Sequence, residues 1–159
     1  MDDVFSFLNS QRLLTVASID TEPWICNLFY GVDKDINIYF ISSEDTKHSK
    51  QIKKNPTIAF NVAWYNSENY TDRKAVQGTG VCYMAKNDEE IKKGVELHNK
   101  HFPEFASRIT VDWVKSTDNA SKVWIIKPQS LKFWNDQLFG SEEVKSFILK
   151  YYNMFESIK

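Results

Sequence analysis

Short turns between apolar runs constrain this chain more than any other feature. Residues 13–19, 24–30, 36–41, 57–64 and 75–84 are rich in β-branched and aromatic side chains, which suit a pleated, half-buried surface. Asp20-Thr-Glu-Pro23 and Asp33-Lys-Asp35 separate the first three runs, and such turns are too short for a crossover to a parallel neighbour. Residues 123–126 and 131–134 add two runs late in the chain, divided by Lys127-Pro-Gln-Ser130. Strands so linked predict a mainly β, antiparallel, closed or nearly closed barrel, and a doubly wound nucleotide fold fits poorly.

Helices are expected only at the periphery. Residues 3–10 predict a short N-terminal helix with Val4, Phe5 and Leu8 inward, and Asn87-Asp-Glu-Glu90 opens another that runs to about His101 before Pro103. Val144, Phe147, Ile148, Tyr151, Tyr152 and Phe155 recur at helical spacing and predict an amphipathic C-terminal helix over 141–158. Packing of that helix on its own barrel or on a second subunit is favoured over membrane contact, because its polar side carries both signs of charge. Gly78 and Gly80 soften the fifth run and suggest a bulge or a close backbone approach. Residues 65–73 and 115–121 are polar and read as loops, the second of them mobile. The whole of 1–159 is expected to form one domain, with its barrel over about 10–136.

A hydrophobic fraction of 42% supports a real core, so general disorder is not expected. Twenty basic against 21 acidic residues leave a formal charge of −1, which argues against nucleic acid as the main partner. Cys26 and Cys82 sit in separate apolar runs and read as small core residues of a reducing compartment. No run approaches the roughly 18 apolar residues of a membrane span, and Asp2-Asp3 contradicts the basic start of a signal peptide. The expectation is a soluble cytoplasmic protein without membrane contact, in which the glycosylation sequons at Asn69 and Asn119 are coincidental.

Several motifs dissolve on inspection. Gly78-Thr-Gly80 begins like a dinucleotide fingerprint, but Tyr83 stands at the third glycine position and the motif lies within a strand. His98 and His101 lie about one helical turn apart but lack a third ligand nearby, so a solvated helix face is preferred to a metal site. No serine sits in a nucleophile elbow, and no catalytic residue is assigned.

The stretch Ile38-Tyr-Phe-Ile-Ser-Ser-Glu-Asp-Thr-Lys-His-Ser-Lys-Gln-Ile-Lys-Lys-Asn-Pro56 is richer. An apolar strand runs into a hydroxyl-bearing corner and then a basic helical turn. A phosphate dianion favours backbone N–H groups at a helix N-terminus, hydroxyls at the corner and nearby cations. Ser42, Ser43 and Thr46 supply hydroxyls, Lys47, His48 and Ser49 occupy the first turn, and Gln51 follows one turn on. Glu44 and Asp45 would repel an anion unless they face solvent or cap the helix. On the residues alone, phosphate seat and plain connector stand level.

Taken together, these pieces resemble the pyridoxamine-phosphate-oxidase-like, FMN-binding split-barrel superfamily. The resemblance rests on Pro23-Trp-Ile-Cys-Asn-Leu-Phe-Tyr30, the strand ending Tyr39-Phe-Ile-Ser42, Thr46-Lys-His48, the helix closing on Asn55-Pro56, and Leu131-Lys-Phe-Trp134. A small uncharacterised bacterial subgroup looks closest, since it shares the Cys26-Asn27 strand and a histidine in place of the usual lysine. The resemblance implies a six- or seven-stranded split barrel that forms a homodimer with FMN in two interfacial clefts. Ser42, Lys47 and His48 would hold the phosphate, with Ile41, Ser43, Thr46, Ser49 and Gln51 around it. Asn27, Leu28 and Phe29 would face the isoalloxazine through their backbone. Gln77 would stand for the flavin-facing glutamine, within two residues of register, and Trp134 would lie near the cleft.

After the Phe-Trp strand comes Gln137-Leu-Phe-Gly-Ser-Glu-Glu143, not the family oxidase's arginine- and histidine-bearing substrate motifs, so vitamin B6 oxidation is not expected. What the resemblance implies instead is a flavin reductase or flavin-dependent oxidoreductase acting on a small molecule or a nicotinamide donor. Its substrate would stack within walls such as Trp64, Tyr65 or Trp134. The alternatives are a non-catalytic FMN- or haem-binding module of the same fold, or a purely structural barrel.

Overall fold

A computed structural model describes residues 1–141 and 143–149. Seven strands form one antiparallel sheet: β1 (Leu13–Ile19), β2 (Pro23–Val32), β3 (Ile38–Ser43), β4 (Thr57–Asn66), β5 (Asn69–Met84), β6 (Ser121–Asn135) and β7 (Val144–Ile148). The order is β3-β2-β1-β4-β5-β6-β7, and a further β3–β6 pairing closes the barrel. Among the described residues five α-helices flank it: α1 (Asp2–Ser10), α2 (Lys47–Lys54), α3 (Asp88–His101), α4 (Val111–Lys115) and α5 (Asp136–Phe139). This is the split-barrel architecture, mainly β with peripheral helices.

β6 does two jobs along its length. Its first half, from Ser121 to Ile126, pairs with β3, while the stretch from Ser130 to Trp134 pairs with β7. Both halves lie along β5. The expected break at Lys127-Pro-Gln-Ser130 is therefore no break. The ladder slips between Thr79 and Gly80, with Thr79 opposite Ser130 and Gly80 opposite Pro128. A strand tolerates proline at such a bulge, where no ladder N–H is needed. The carbonyl of Gln129, passed over in the register, accepts a hydrogen bond from the Leu149 amide at 2.9 Å.

Three further expectations are corrected. Residues 144–148 form an edge strand, with Phe147 opposite Leu131 and Val144 opposite Trp134. Their helical spacing covers too few residues to outweigh the free hydrogen-bonding edge of β6, and residues 142 and 150–158 of the expected helix lie outside the described residues. The 65–73 loop is instead the end of a β4–β5 hairpin, turned at Ser67-Glu68 with Asn66 Oδ1 accepting from the Glu68 amide. Both faces of this ribbon are wet, with Tyr65 and Tyr70 exposed, so it carries no alternating pattern to read. The 115–121 segment is tied down by Lys122, whose ammonium donates to the carbonyls of Val114, Ser116 and Asn119 at 2.7–3.1 Å.

Two cores follow from strand alternation. Ile38, Phe40, Trp124 and Ile126 point into the barrel with Leu14, Val16, Tyr30 and Phe133. Tyr39, Val123 and Ile125 point outward and are covered by Val95 of α3 and Val114 of α4. α1 covers one barrel end with Val4, Phe7 and Leu8 buried, where the sequence suggested Phe5 in place of Phe7.

Gly80 is required by close approach, because a Cβ there would lie 2.5 Å from the Lys127 carbonyl oxygen. Backbone cannot yield as a side chain can, so Gly80→Ala is expected to cost about 1–3 kcal/mol as an overpacking change. Urea unfolding should show a lower midpoint at unchanged slope, and an unaltered midpoint would exclude the steric role.

Candidate functional site

The corner between β3 and α2 gathers much of the polar chemistry. Thr46 caps α2, its hydroxyl accepting from the Ser49 amide. This caps one of the free N–H groups at the helix start. The same Oγ1 lies 2.9 Å from Ser49 Oγ and 3.1 Å from His48 Nε2. His48 Nε2 is also 2.8 Å from Ser42 Oγ. One imidazole nitrogen therefore meets two hydroxyls, one from the strand and one from the cap. Ser42 is fixed in turn by Trp124, whose buried indole N–H donates to the Ser42 carbonyl at 3.1 Å. His48 and Ser49 are buried and Ser42 is partly exposed, so the cluster opens toward solvent on one side. Burial holds the His48 imidazole below its ordinary range.

Lys47 stands at the exposed rim. Its ammonium pairs with Glu22 of the β1–β2 turn and lies 4.2 Å from the centre of the Trp24 ring. Glu44 pairs with Lys53, and Asp45 is exposed, so neither points a free carboxylate at the imidazole. Ser43 contributes through its backbone and hydroxyl to the turn itself, with its carbonyl 2.9 Å from Thr46 Oγ1. Gln51 is committed elsewhere. Its Oε1 accepts from Ser18 at 2.7 Å and its Nε2 donates to the Glu22 carbonyl at 3.0 Å, which locks the β1–β2 turn onto α2.

The other expected site residues fall on two neighbouring surfaces. Asn27, Leu28, Phe29 and Ile41 border a cleft of about 380 Å³ between β2, β3 and the 98–113 segment. Gln77 lies on the outer sheet face, on a second cleft of about 500 Å³. A polar row crosses six strands there: Asn27, Thr15, Asn61, Gln77, Lys132 and Ser146 stand in mutual register. Thr15 donates to Asn27 Oδ1 at 2.8 Å, whereas Asn61 Oδ1 is buried with no hydrogen-bond partner among the described residues. Trp134 is braced apart from these, under the Arg73 guanidinium and donating its indole N–H to Asp136. Within one chain, then, Ser42, Thr46, His48 and Ser49 converge, Lys47 flanks them, and Gln77 and Trp134 do not join them.

His98 and His101 are not solvated, as was expected from their lysine-rich helix. Both are buried. His101 bridges the Tyr30 carbonyl and Asn9 Oδ1, each at 3.1 Å, and so ties α1 to β2. His98 packs against Phe102 and borders the smaller cleft. No group of three or more metal-binding side chains occurs among the described residues. The cleft wall formed by Phe105, Arg108, Ile109 and Trp113 was not anticipated. A local signal existed in Thr110-Val-Asp-Trp113, where a threonine precedes an acidic first turn and caps α4.

No protein-family model matches the chain. Two UPF0306 proteins of Campylobacter jejuni are each 27% identical over 150 residues, spanning 92% of this chain and 98% of theirs. Among solved structures, a haem-binding protein from Mycobacterium smegmatis superposes with a TM-score of 0.69 at 16% identity. That match covers 87% of this chain and 53% of the other, so the chain spans about half of that protein's length. HutZ, the haem storage protein of Vibrio cholerae, gives a TM-score of 0.65 at 15% identity, covering 82% of this chain and 91% of its own. These likenesses establish the split-barrel fold. No helix among the described residues is long and apolar enough to cross a membrane.

The buried imidazoles make stability depend on pH. Burial lowers both His48 and His101, and the nearby Arg12 charge adds to the effect on His101. Unfolded imidazoles take up protons near pH ~6.5 while the folded ones resist, so this stability is full above ~6.5 and is lost as pH falls toward the depressed folded values. The urea midpoint of the ligand-free protein should drop between about pH 7 and 5, and His48→Gln should flatten part of that slope. An identical slope in the variant would show that His48 is not a contributor.

Proposed function

We propose that this chain is a cofactor-binding split barrel whose β3–α2 corner holds the phosphate of FMN, and that it acts as a flavin reductase or flavin-dependent oxidoreductase on a small molecule. The single observation that carries this reading is the convergence of Ser42 Oγ, Thr46 Oγ1 and His48 Nε2 at the start of α2. The donor chemistry fits. Two hydroxyls can turn from the imidazole toward an anion, a protonated His48 adds charge, and Lys47 stands at the rim. Bound FMN would supply the hydride- or electron-accepting chemistry, and the protein would bind, orient and exclude competing reactions.

The outer sheet face supports a homodimer in this reading. Leu13, Ile25 and Phe29 are exposed there beside the polar row, and Asn61 Oδ1 lacks the donor that a bound group or second subunit would bring. A nicotinamide or flat substrate would use the aromatic surface nearby.

A second reading, a haem-binding module without turnover, draws on the fold likeness to the Mycobacterium smegmatis and Vibrio cholerae proteins. The comparisons favour it over catalysis, whereas the hydroxyl–imidazole corner favours a phosphate ligand.

Titrations of ligand-free protein with FMN, riboflavin and haemin separate these readings. FMN should bind more tightly than riboflavin, and Ser42→Ala should weaken FMN by about tenfold or more, the worth of one hydrogen bond to a charged group, while leaving riboflavin unchanged. A bound dianion raises the His48 pKa, so the FMN advantage should shrink as pH rises through that raised value. Equal affinity for FMN and riboflavin would overturn the phosphate seat, and haemin binding without FMN binding would favour the module. NADH or NADPH oxidation by the FMN-loaded protein would mark an enzyme, and its absence a carrier.

A further inference from the structure

The cleft between β2, β3 and the 98–113 segment has a chemistry of its own. Phe29, His98 and Phe105 line it and are linked through the buried ring of Phe102. Phe29 lies 4.8 Å from Phe102, Phe102 lies 5.1 Å from His98, and His98 lies 6.3 Å from Phe105, all between ring centres. Ile41, Ile109 and Trp113 complete the apolar wall. The volume of about 380 Å³ falls in the range of small-ligand sites.

Four polar side chains border this space: Asn27 and Ser121, and the two that can recognise an acid, His98 and Arg108. His98 is buried, with Nδ1 3.1 Å from Asn99 Oδ1, and its Nε2 has no hydrogen-bond partner among the described residues. Arg108 sits at the rim with its guanidinium in no ion pair or hydrogen bond among the described residues. No aspartate or glutamate lines the cleft. A planar cation with no carboxylate of its own, set over aromatic walls, selects a flat anion.

The wall that carries Arg108 is held in place. Asn99 donates from Nδ2 to the Ile109 carbonyl at 2.8 Å, and Asn119 donates to the Trp113 carbonyl at 2.8 Å. Thr110 caps the intervening turn through the Trp113 amide. Such bracing suits a preformed site.

We infer that this cleft is a binding site for a small aromatic or heteroaromatic acid, whose ring lies among Phe29, Phe105 and Trp113 and whose carboxylate is taken by Arg108, with His98 as a second hydrogen-bonding partner. The cleft shares Asn27, Leu28, Phe29 and Ile41 with the residues that the flavin resemblance assigns, but the inference does not rest on that reading. In an FMN-loaded enzyme it is the place for an acidic substrate beside the cofactor strand.

The test uses 2-naphthoate and its neutral isostere 2-naphthamide on ligand-free protein, by calorimetry. The Trp113 indole N–H resonance, assigned with Trp113→Phe, is followed in parallel. Naphthoate should bind and shift that resonance, and Arg108→Gln should weaken it about tenfold or more, the loss of one charge-assisted hydrogen bond. Naphthamide should bind weakly and equally to both proteins. Arg108→Lys should restore part of the naphthoate affinity. Absence of naphthoate binding, equal affinity for acid and amide, indifference to Arg108→Gln, or an unmoved Trp113 signal would each overturn the inference. Repeating the FMN titration separates the two readings: naphthoate binding without FMN binding sinks only the flavin reading, and the converse sinks only this one.

Discussion

The pairing of β3 with β6 is the seam on which the rest depends. Without it β3 would be an exposed edge beyond β2, with a row of unpaired backbone groups. With it, residues 38–43 are held on both sides, by β2 and by β6. The seam also brings Trp124 beneath the corner, where its indole N–H takes the Ser42 carbonyl at the point where the strand ends. An inner side chain of the seam thus fixes the first residue of the candidate phosphate seat.

Alternation along β3 then divides its end between two surfaces. Phe40 faces the barrel, and Ser42, two residues on, points toward His48. Ile41 points the other way, under α3 and α4, and borders the aromatic cleft together with Ser121 across the ladder from Ser43. A shift of one residue in the β3–β6 register would exchange these faces and dismantle both sites at once. Corner and cleft are therefore two outcomes of one register, and the small, flat geometry of a strand end lets them sit back to back.

Much of this was legible in the sequence where local chemistry decides the outcome. The first five strands, the start of α3 at Asn87 and the bulge near Gly80 follow from residues that act on their own neighbours, whereas the cap of α2 is Thr46 and not Glu44 or Asp45. The failures share a cause, since each depends on a partner distant in the chain. Pro128 looks like a strand break until Gly80 makes room for a bulge opposite it. Residues 144–148 show helical spacing until the free edge of β6 claims them. His98 and His101 sit among lysines and seem wet until α3 lands on β2 and β3. At the site, the hydroxyl cluster was readable because Ser42, Thr46, His48 and Ser49 lie within eight residues of one another. Arg108 and Trp113 were not, because nothing local says that their segment folds back over Phe29.

The two anion-directed features differ in readiness, and the difference orders them physically. Lys47 is paired with Glu22, but both side chains are substantially exposed, at 42% and 63%. An exposed pair of this kind contributes little, so Glu22 neither strengthens the fold much nor bars a dianion from its place. By the same reasoning Lys47 adds little as a screened point charge at the rim. If the corner takes a phosphate as proposed, selectivity there would come from the half-enclosed hydroxyls and from the charge state of His48. Arg108 has no competing carboxylate to displace in its cleft. An acid in the cleft and a phosphate at the corner would thus be held by different side chains on opposite faces of a single strand.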